Sequence, residues 1–321
     1  MSIPPTRSGT HVVDGLSVTR RTPDPHPGTT VVLVHGAMDR AASFGRVMRR
    51  LDDLDVVAYD RRGYAGSLVD ASEPGSELSV DQPAPWTLED HATDVLSVTR
   101  WATSTPDGRS TPVTRVVVIG HSLGGLITLL AAHTGLTSEG DSGAEDVSAA
   151  QGRHPDTAPA RIGAVGAYEA PTPWLEAEYT TAGALALDVG NSEGPAAAAE
   201  FFFRSMVGER AWERLPEATR ELRRCEGPAL MADLTAARAG PRIEGPDAIP
   251  LPAAGTALAV ARGENGPPHL RRAAERLAAE AEVDCEVLEG AGHGAHLSHP
   301  DLFAGWVRRV AVRDQGLQRN R

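Results

Sequence analysis

The amino-acid sequence predicts an α/β protein with a mostly parallel sheet flanked by helices. Short, continuous runs of apolar residues recur along the chain, as expected for strands that are buried on both faces of a parallel sheet. Helical segments separate these runs, which is the order of β-α-β units. With 321 residues, of which 41% are hydrophobic, the chain can bury one large core without disulfide bonds or metal ions.

The strand candidates begin with a hairpin. Residues 11–13 and 16–18 flank Asp14-Gly15, a dipeptide that favours a tight turn. The remaining candidates are apolar runs, which lie in chain order at residues 31–34, 56–59, 116–119, 162–167, 257–261 and 285–288.

Four helix candidates have recognisable start or stop signals. The segment 87–104 begins with a Thr-x-x-Asp pattern, as in a capping box. The segment 123–134 is apolar almost all round, as in a buried helix, and a glycine follows it. The segments 267–281 and 300–313 open with proline, whose missing N–H costs nothing in the first helical turn.

The stretch between the sixth and seventh strand candidates contains no convincing strand. Its helical patterns lie at residues 196–206, 211–224 and 229–237. We therefore expect residues 172–250 to form a helical insertion over one edge of the sheet, with residues 1–171 and 251–321 forming the core. Two polar segments, 136–160 and 313–321, are expected to form a surface loop and a frayed end.

Composition excludes several classes of protein. The 31 basic and 43 acidic residues give a net charge of −12, which argues against a nucleic-acid binder. No apolar stretch is long enough to predict a membrane span, and the N-terminus lacks the apolar region of a secretory signal. Only two cysteines occur, which argues against a disulfide scaffold or a cysteine-built zinc site. The expectation is a cytoplasmic protein, and its oligomeric state stays open.

The strongest chemical signal is a G-x-S-x-G motif at residues 120–124. It lies directly after the apolar run 116–119 and directly before the helix candidate, which is the context that the motif needs. A serine on such a sharp turn exposes its hydroxyl above the sheet, and the flanking glycines remove side chains that would collide. The helix start adds backbone N–H groups where an oxyanion would form. A glycine-rich turn with an incidental serine is the alternative, and the context disfavours it.

With this motif and three others, the sequence resembles the α/β-hydrolase superfamily over nearly its full length. Each motif follows an apolar run. In chain order they are His-Gly-Ala at 35–37, Asp-Arg-Arg-Gly-Tyr-Ala-Gly-Ser at 60–67, Gly-His-Ser-Leu-Gly at 120–124 and Gly-Ala-Gly-His at 290–293. The resemblance implies an α/β-hydrolase fold in which residues 172–250 form a helical cap inserted after the sixth strand.

The resemblance also assigns catalytic roles. It implies that Ser122 is the nucleophile and His293 the general base, with the backbone N–H groups of Ala37 and Leu123 as oxyanion donors. A serine hydroxyl becomes a good nucleophile only when a base takes its proton, and an imidazole has a suitable pKa for that task.

Substrate contacts are expected from three further residues. His35 and His121 stand inside two of the motifs, where we expect them to shape the loops and to line the substrate site. Trp174 is one of the largest apolar side chains of the predicted cap, so we expect it in the substrate pocket.

The acid of the triad is where the sequence departs from the superfamily. Members usually carry an aspartate in a G-x-x-D turn after the seventh strand, but here residues 263–266 are Gly-Glu-Asn-Gly. Some relatives place the acid at the end of the preceding strand, where this chain has Glu169. We favour Glu169, with Glu264 as second choice and a dyad without an acid as the third possibility.

No metal or cofactor is predicted. His293, His296 and His299 are closely spaced, but no carboxylate or cysteine ligand pattern accompanies them. The chain also lacks the glycine spacing of a P-loop or a dinucleotide-binding motif.

A serine at this position, rather than aspartate or cysteine, predicts acyl transfer on a small-molecule substrate. By the resemblance, the reaction is hydrolysis of an ester, thioester, amide or lactone, or cleavage of a carbon–carbon bond beside a ketone. The alternatives are a catalytically silent binding protein on the same fold, an acyltransferase, or a cofactor-free lyase or peroxidase.

Overall fold

The computed structural model describes residues 6–68, 81–104, 113–134, 162–175, 182–243 and 248–313. The predicted surface loop 136–160 and residues 314–321 of the predicted frayed end lie outside these ranges. The strands are β1 (Thr6–Val13), β2 (Leu16–Pro23), β3 (Thr29–Val34), β4 (Asp55–Tyr59), β5 (Arg115–His121), β6 (Ile162–Tyr168), β7 (Ala257–Gly263) and β8 (Cys285–Leu288).

These strands form one eight-stranded sheet in the order β1-β2-β4-β3-β5-β6-β7-β8. β1 and β2 pair antiparallel, as do β2 and β4, and every other neighbouring pair is parallel. The mostly parallel sheet is thus confirmed. The predicted hairpin turn is also present, since Asp14 and Gly15 both have positive φ angles, 49° and 81°, between paired β1 and β2.

The helices flank this sheet and follow its strands. They are α1 (Gly45–Arg50), α2 (Leu88–Ser104), α3 (Leu123–Thr134), α4 (Ala182–Glu193), α5 (Pro195–Val207), α6 (Glu209–Glu213), α7 (Glu217–Cys225), α8 (Gly227–Ala239), α9 (Pro268–Glu280), α10 (Ala295–Ser298) and α11 (Pro300–Ala311). The four predicted helices correspond to α2, α3, α9 and α11. Thr87 and Asp90 exchange side-chain-to-backbone hydrogen bonds before α2, which is a capping box.

Both faces of the central strands are buried, which explains why their sequences are apolar throughout. On one face, Val31, Val117 and Ile119 belong to an apolar cluster with side chains of α1 and α11. On the other face, alternate residues such as Val32 and Val118 belong to a cluster with side chains of α2 and α3. The sheet is therefore held rigidly in the middle of the molecule, and its loops can position side chains at the carboxyl ends of the parallel strands.

The described residues between β6 and β7 form the helices α4 to α8 and no strand. The structure corrects two details of the prediction. The predicted helix 211–224 is two helices, α6 and α7, because Pro216 interrupts it. Helix α4 was not predicted. Side chains of α4, α5 and α8 pack in one cluster with Met38 and Tyr64, which lie in the loops after β3 and β4.

No helix among the described residues has the length and hydropathy needed to cross a lipid bilayer.

Candidate active site

Ser122 alone makes the turn between β5, which ends at His121, and α3, which begins at Leu123. Its φ angle of 55° lies in the left-handed region, which is uncommon for a residue other than glycine. Two backbone hydrogen bonds hold this conformation: the N–H of Ser122 donates to the carbonyl of Tyr168 at 2.9 Å, and its carbonyl accepts from the N–H of Gly125 at 2.8 Å. The turn is thus fixed with the serine side chain at the carboxyl edge of the sheet.

Glycines are needed around this turn because backbone segments approach one another closely. A Cβ atom on Gly120 would lie 2.2 Å from the carbonyl oxygen of Gly124, and one on Gly124 would lie 2.3 Å from the carbonyl oxygen of Val34. A Cβ atom on Gly36 would lie 2.9 Å from the Cβ of Ser122. The loop after β3 therefore passes directly beside the serine.

The structure brings Glu169 and His293 together. Glu169 follows β6 with a φ angle of 46° and is completely buried. The Nδ1–H of His293 donates to Glu169 Oε2 at 2.6 Å, and the other carboxylate oxygen accepts from the N–H of Gly263 at 2.9 Å. A carboxylate on Nδ1 fixes the tautomer of the imidazole that leaves Nε2 free to accept a proton.

Glu264 lies elsewhere. Its carboxylate accepts a hydrogen bond from the N–H of Gly290 at 2.8 Å, so it braces the loop before His293 without contacting the imidazole. The turn is also closed to an aspartate at its fourth position, because a Cβ atom on Gly266 would lie 1.9 Å from Glu169 Oε1. The carboxylate of Glu169 fills the space that a side chain at residue 266 would need.

Two neighbouring residues connect the His293 loop to the serine turn. Tyr168 accepts the Ser122 N–H with its carbonyl, and its hydroxyl donates to the carbonyl of Gly292 at 2.7 Å. The Nε2–H of His121 donates to the carbonyl of His293 at 2.8 Å, and the two imidazole centroids are 4.6 Å apart. Tyr168 and His121 therefore link the Ser122 turn to the loop that carries His293.

His121 is buried, and its pKa lies well below the ordinary value because burial disfavours the charged ring and His296 and His293 repel it. This imidazole braces the His293 loop through its bond to the His293 carbonyl. A substrate contact of His121 stays a prediction.

His35, the other histidine predicted to line the substrate site, is enclosed by the protein. It is completely buried, and both ring nitrogens bond to the protein. Nδ1–H donates to the carbonyl of Gly36 at 2.7 Å, and Nε2 accepts from the backbone N–H of Arg61 at 2.9 Å. Burial, followed by the charge of Arg61, lowers the pKa of His35 to about 3, so the ring is neutral. These two hydrogen bonds hold the loop after β3, and His35 was also predicted to shape that loop.

The predicted oxyanion donors lie on either side of Ser122. Leu123 opens α3, so its N–H is one of the first-turn donors that no carbonyl of that helix accepts. Ala37 follows Gly36 in the loop that passes beside Ser122, and it is packed against the apolar cluster that covers one face of the sheet.

A buried ion pair holds the Ala37 loop to helix α8, and sequence analysis missed it. The guanidinium of Arg61 donates to the carbonyls of His35 and Gly36 at 3.0 and 3.2 Å. It also makes two hydrogen bonds to the carboxylate of Asp233, at 3.1 and 2.6 Å, and both side chains are completely buried. Burial alone would raise the pKa of Asp233, but Arg61 holds it well below the ordinary value. The available signal was one aspartate in an otherwise apolar helix segment.

Replacing Asp233 by alanine is expected to destabilise the fold by about 3–5 kcal/mol, because it leaves the buried Arg61 without its counter-charge. Urea denaturation followed by circular dichroism measures this change. Asp301→Ala is the matched control, since Asp301 pairs with Arg50 at an exposed position and its loss should leave the denaturation midpoint close to wild type. Equal midpoints for the two variants would contradict the proposed importance of the buried pair.

Trp174 lies in a short turn, Pro173–Leu175, and is partly buried. A Cβ atom on Gly240 would lie 2.9 Å from its ring, so the indole packs closely on the end of α8. It belongs to the same apolar cluster as Ala37.

The three histidines near the C-terminus are not brought together. His293 bonds to Glu169, His296 to Asp39 at 3.1 Å, and the ring of His299 to the hydroxyl of Ser298 at 2.9 Å.

Comparison with known proteins identifies relatives of this arrangement. The model of a family described as "Alpha/beta hydrolase family" matches residues 31–306. The sequence has no significant match among curated proteins. A carboxylesterase structure from the ammonia-oxidizing thaumarchaeon Nitrososphaera gargenis is 16% identical with a TM-score of 0.58, covering 94% of this chain and 98% of the other.

Two further solved structures have similar folds. The enol-lactonase from Burkholderia xenovorans LB400 is 17% identical with a TM-score of 0.57, covering 95% of this chain and 100% of the other. A thioesterase domain from the curacin biosynthetic pathway is 15% identical with a TM-score of 0.52, covering 95% of this chain and 99% of the other.

Proposed function

The chain belongs to the alpha/beta hydrolase family, and from this premise we propose that it is a serine hydrolase that acts by acyl transfer. The observation that carries the proposal is the hydrogen bond between the buried carboxylate of Glu169 and Nδ1 of His293, beside a serine in a strained turn. Strained backbone and a buried carboxylate both reduce the stability of a fold. A turn with a purely structural role would not need them together with an imidazole whose tautomer is fixed.

In the proposed reaction, Nε2 of His293 takes the hydroxyl proton of Ser122 as the oxygen attacks the substrate carbonyl carbon. The carboxylate of Glu169 stabilises the imidazolium that forms and keeps the ring in place. The negative tetrahedral oxygen accepts hydrogen bonds from the N–H groups of Ala37 and Leu123.

The second half of the reaction completes the cycle. His293 gives its proton to the leaving group, which departs and leaves an acyl group on Ser122. Water then attacks this ester while His293 takes a proton from it. His293 returns that proton to the Ser122 oxygen as the bond between this oxygen and the acyl carbon breaks, and the acid product leaves. Apart from substrate and water, the groups that act in this scheme are side chains and backbone N–H groups of the chain.

The proposed substrate is a small molecule with an ester, thioester or lactone bond. The similar structures are described as a carboxylesterase, an enol-lactonase and a thioesterase, which act on such bonds. We propose that residues 172–250 are a cap over the site, because helices α4, α5 and α8 pack against Met38, next to Ala37.

A fluorophosphonate probe tests the proposal directly, since it reacts with activated serines. Mass spectrometry of the labelled protein should place the adduct on Ser122, and a panel of nitrophenyl esters of increasing chain length should show turnover. A protein that binds ligands without catalysis would stay unlabelled and hydrolyse none of the esters. Labelling at another serine would also contradict the proposed nucleophile.

Trp174→Ala is expected to change KM or the chain-length preference by about tenfold, the scale of a few lost methylene contacts. The panel of esters measures it. Trp101→Ala is the control, because this indole lies beside His11 and Arg20, away from the proposed site, and should leave the preference unchanged. An identical profile in both variants would place Trp174 outside the pocket.

A further inference from the structure

Asp39, His121 and His296 form a compact cluster that the proposed reaction does not use. The three residues come from separate places in the fold: the loop after β3, the end of β5, and α10 after β8. Each offers one ligand atom, and the three atoms lie within 4.8 Å of one another. Asp39 Oδ2 is 3.1 Å from His296 Nε2 and 4.0 Å from His121 Nδ1.

The ring of His121 is oriented like a metal ligand. Its Nε2–H donates to the carbonyl of His293, which leaves Nδ1 as the unprotonated nitrogen, 4.0 Å from Asp39 Oδ2. This Nδ1 is buried and has no hydrogen-bond partner among the described residues. Metal-binding histidines almost always donate their other ring N–H to a carboxylate, a carbonyl or water, because that bond fixes the tautomer and the ring orientation.

Asp39 and His296 supply the other two ligand atoms, and the second ring nitrogen of His296, Nδ1, is buried without a hydrogen-bond partner among the described residues. Asp39 Oδ1 accepts the backbone N–H of Arg40 at 2.9 Å, so Oδ2 is the oxygen that faces the imidazoles. The side chain of His296 is 2% exposed and is flanked by the rings of Phe44 and Phe303. The side chain of Asp39 is 19% exposed, which gives an ion a path from solvent.

We propose that Asp39, His121 and His296 bind one divalent transition-metal ion of the zinc type. Two imidazoles and a carboxylate are a ligand set that such ions use, with the remaining position open to water. At metal–ligand distances of about 2.0–2.2 Å, tetrahedral ligand atoms lie about 3.3 Å apart. The Asp39–His296 spacing already fits, and the ion replaces the proton that these two groups share. The 4.0 Å between Asp39 Oδ2 and His121 Nδ1 has to shorten by about 0.7 Å to reach this spacing.

The ion would clamp together the three loops that carry Ala37, Ser122 and His293, and none of these three residues is a ligand. The role is therefore structural, and it can be measured without any assay of turnover. It goes beyond the proposed function and does not depend on it.

The test is titration of the metal-free full-length chain with Zn²⁺ and with Co²⁺. We expect one ion per chain, a visible Co²⁺ absorption typical of nitrogen and oxygen ligands in low coordination, and a higher melting temperature in the loaded protein. Loss of an outer-sphere partner typically weakens metal binding by about 10–100-fold. Asp39→Asn and His296→Gln each remove a proposed ligand, so each should weaken metal binding by more than that. His299→Gln and His293→Gln should bind the ion like wild type.

Retained binding in both Asp39→Asn and His296→Gln would overturn the proposal, as would a wild-type protein that takes up no ion. Either result would mean that the cluster is a hydrogen-bonded brace between loops. Circular dichroism checks that the near-isosteric variants fold. X-ray absorption of the zinc-loaded wild type needs no variant at all, and a coordination shell without two imidazoles would also exclude this site.

Discussion

Ser122→Ala is expected to lower kcat by about 10⁶-fold, because the remaining donors and binding contacts then act without a nucleophile. Alanine keeps the Cβ atom, so the backbone strain at φ 55° is unchanged and stability should stay close to wild type. The measurement is kcat on the best nitrophenyl ester, together with fluorophosphonate labelling, which should disappear.

The control for this prediction is Ser192→Ala, which removes an exposed hydroxyl from helix α4. Among the described residues, this hydroxyl hydrogen-bonds to carbonyls of its own helix. That variant should keep full turnover and full labelling. If Ser122→Ala retained more than about a hundredth of the activity, the serine mechanism would be wrong.

Glu169→Gln is expected to lower kcat by about three to four orders of magnitude. Glutamine has almost the same shape as glutamate, so the space beside Gly266 stays filled and the geometry survives. Its amide cannot stabilise the imidazolium, and it can hold His293 in the wrong tautomer. The measurement is kcat under saturating substrate, with the denaturation midpoint recorded alongside.

Glu264→Gln provides the matched control, since its carboxylate touches the same loop at Gly290 but not the imidazole. The Glu264→Gln substitution should lower kcat by less than about tenfold. Glu169→Ala combined with Gly266→Asp moves the acid to the position usual in the family and should recover part of the turnover lost in Glu169→Ala. Turnover near wild type in Glu169→Gln would mean that His293 works without a carboxylate, or with another one.

Local sequence signals predicted much of the fold. The helix 123–134 agrees with α3 at both ends, because the motif turn at residues 120–122 precedes this apolar segment and a glycine follows it at residue 135. The buried strands were recognisable because a strand covered on both faces must be apolar throughout, so its sequence differs from that of a surface strand. The interrupted helix at Pro216 was also readable from local rules, although the prediction overlooked it.

Local sequence patterns could not identify which glutamate is the acid of the proposed triad. Both Glu169 and Glu264 follow apolar strands, so the sequence alone left the choice open. The parallel register of β6 and β7 determines which of the two carboxylates meets the imidazole of His293. This pairing places Glu169 beside Gly263 and Gly266, and the missing side chain of Gly266 leaves room for the Glu169 carboxylate. A glycine in place of the expected aspartate is informative only when the neighbouring strand is known.

The sequence by itself thus determined the strands in chain order, the helices α2, α3, α9 and α11, and the turn at Ser122, because these depend on residues close together in the chain. The tertiary structure decided which distant side chains meet. Asp233 is 172 residues from Arg61, and His296 is 257 residues from Asp39. Such pairs leave no periodic pattern, since each side chain is fixed by the packing of a whole loop or helix and not by its neighbours in sequence.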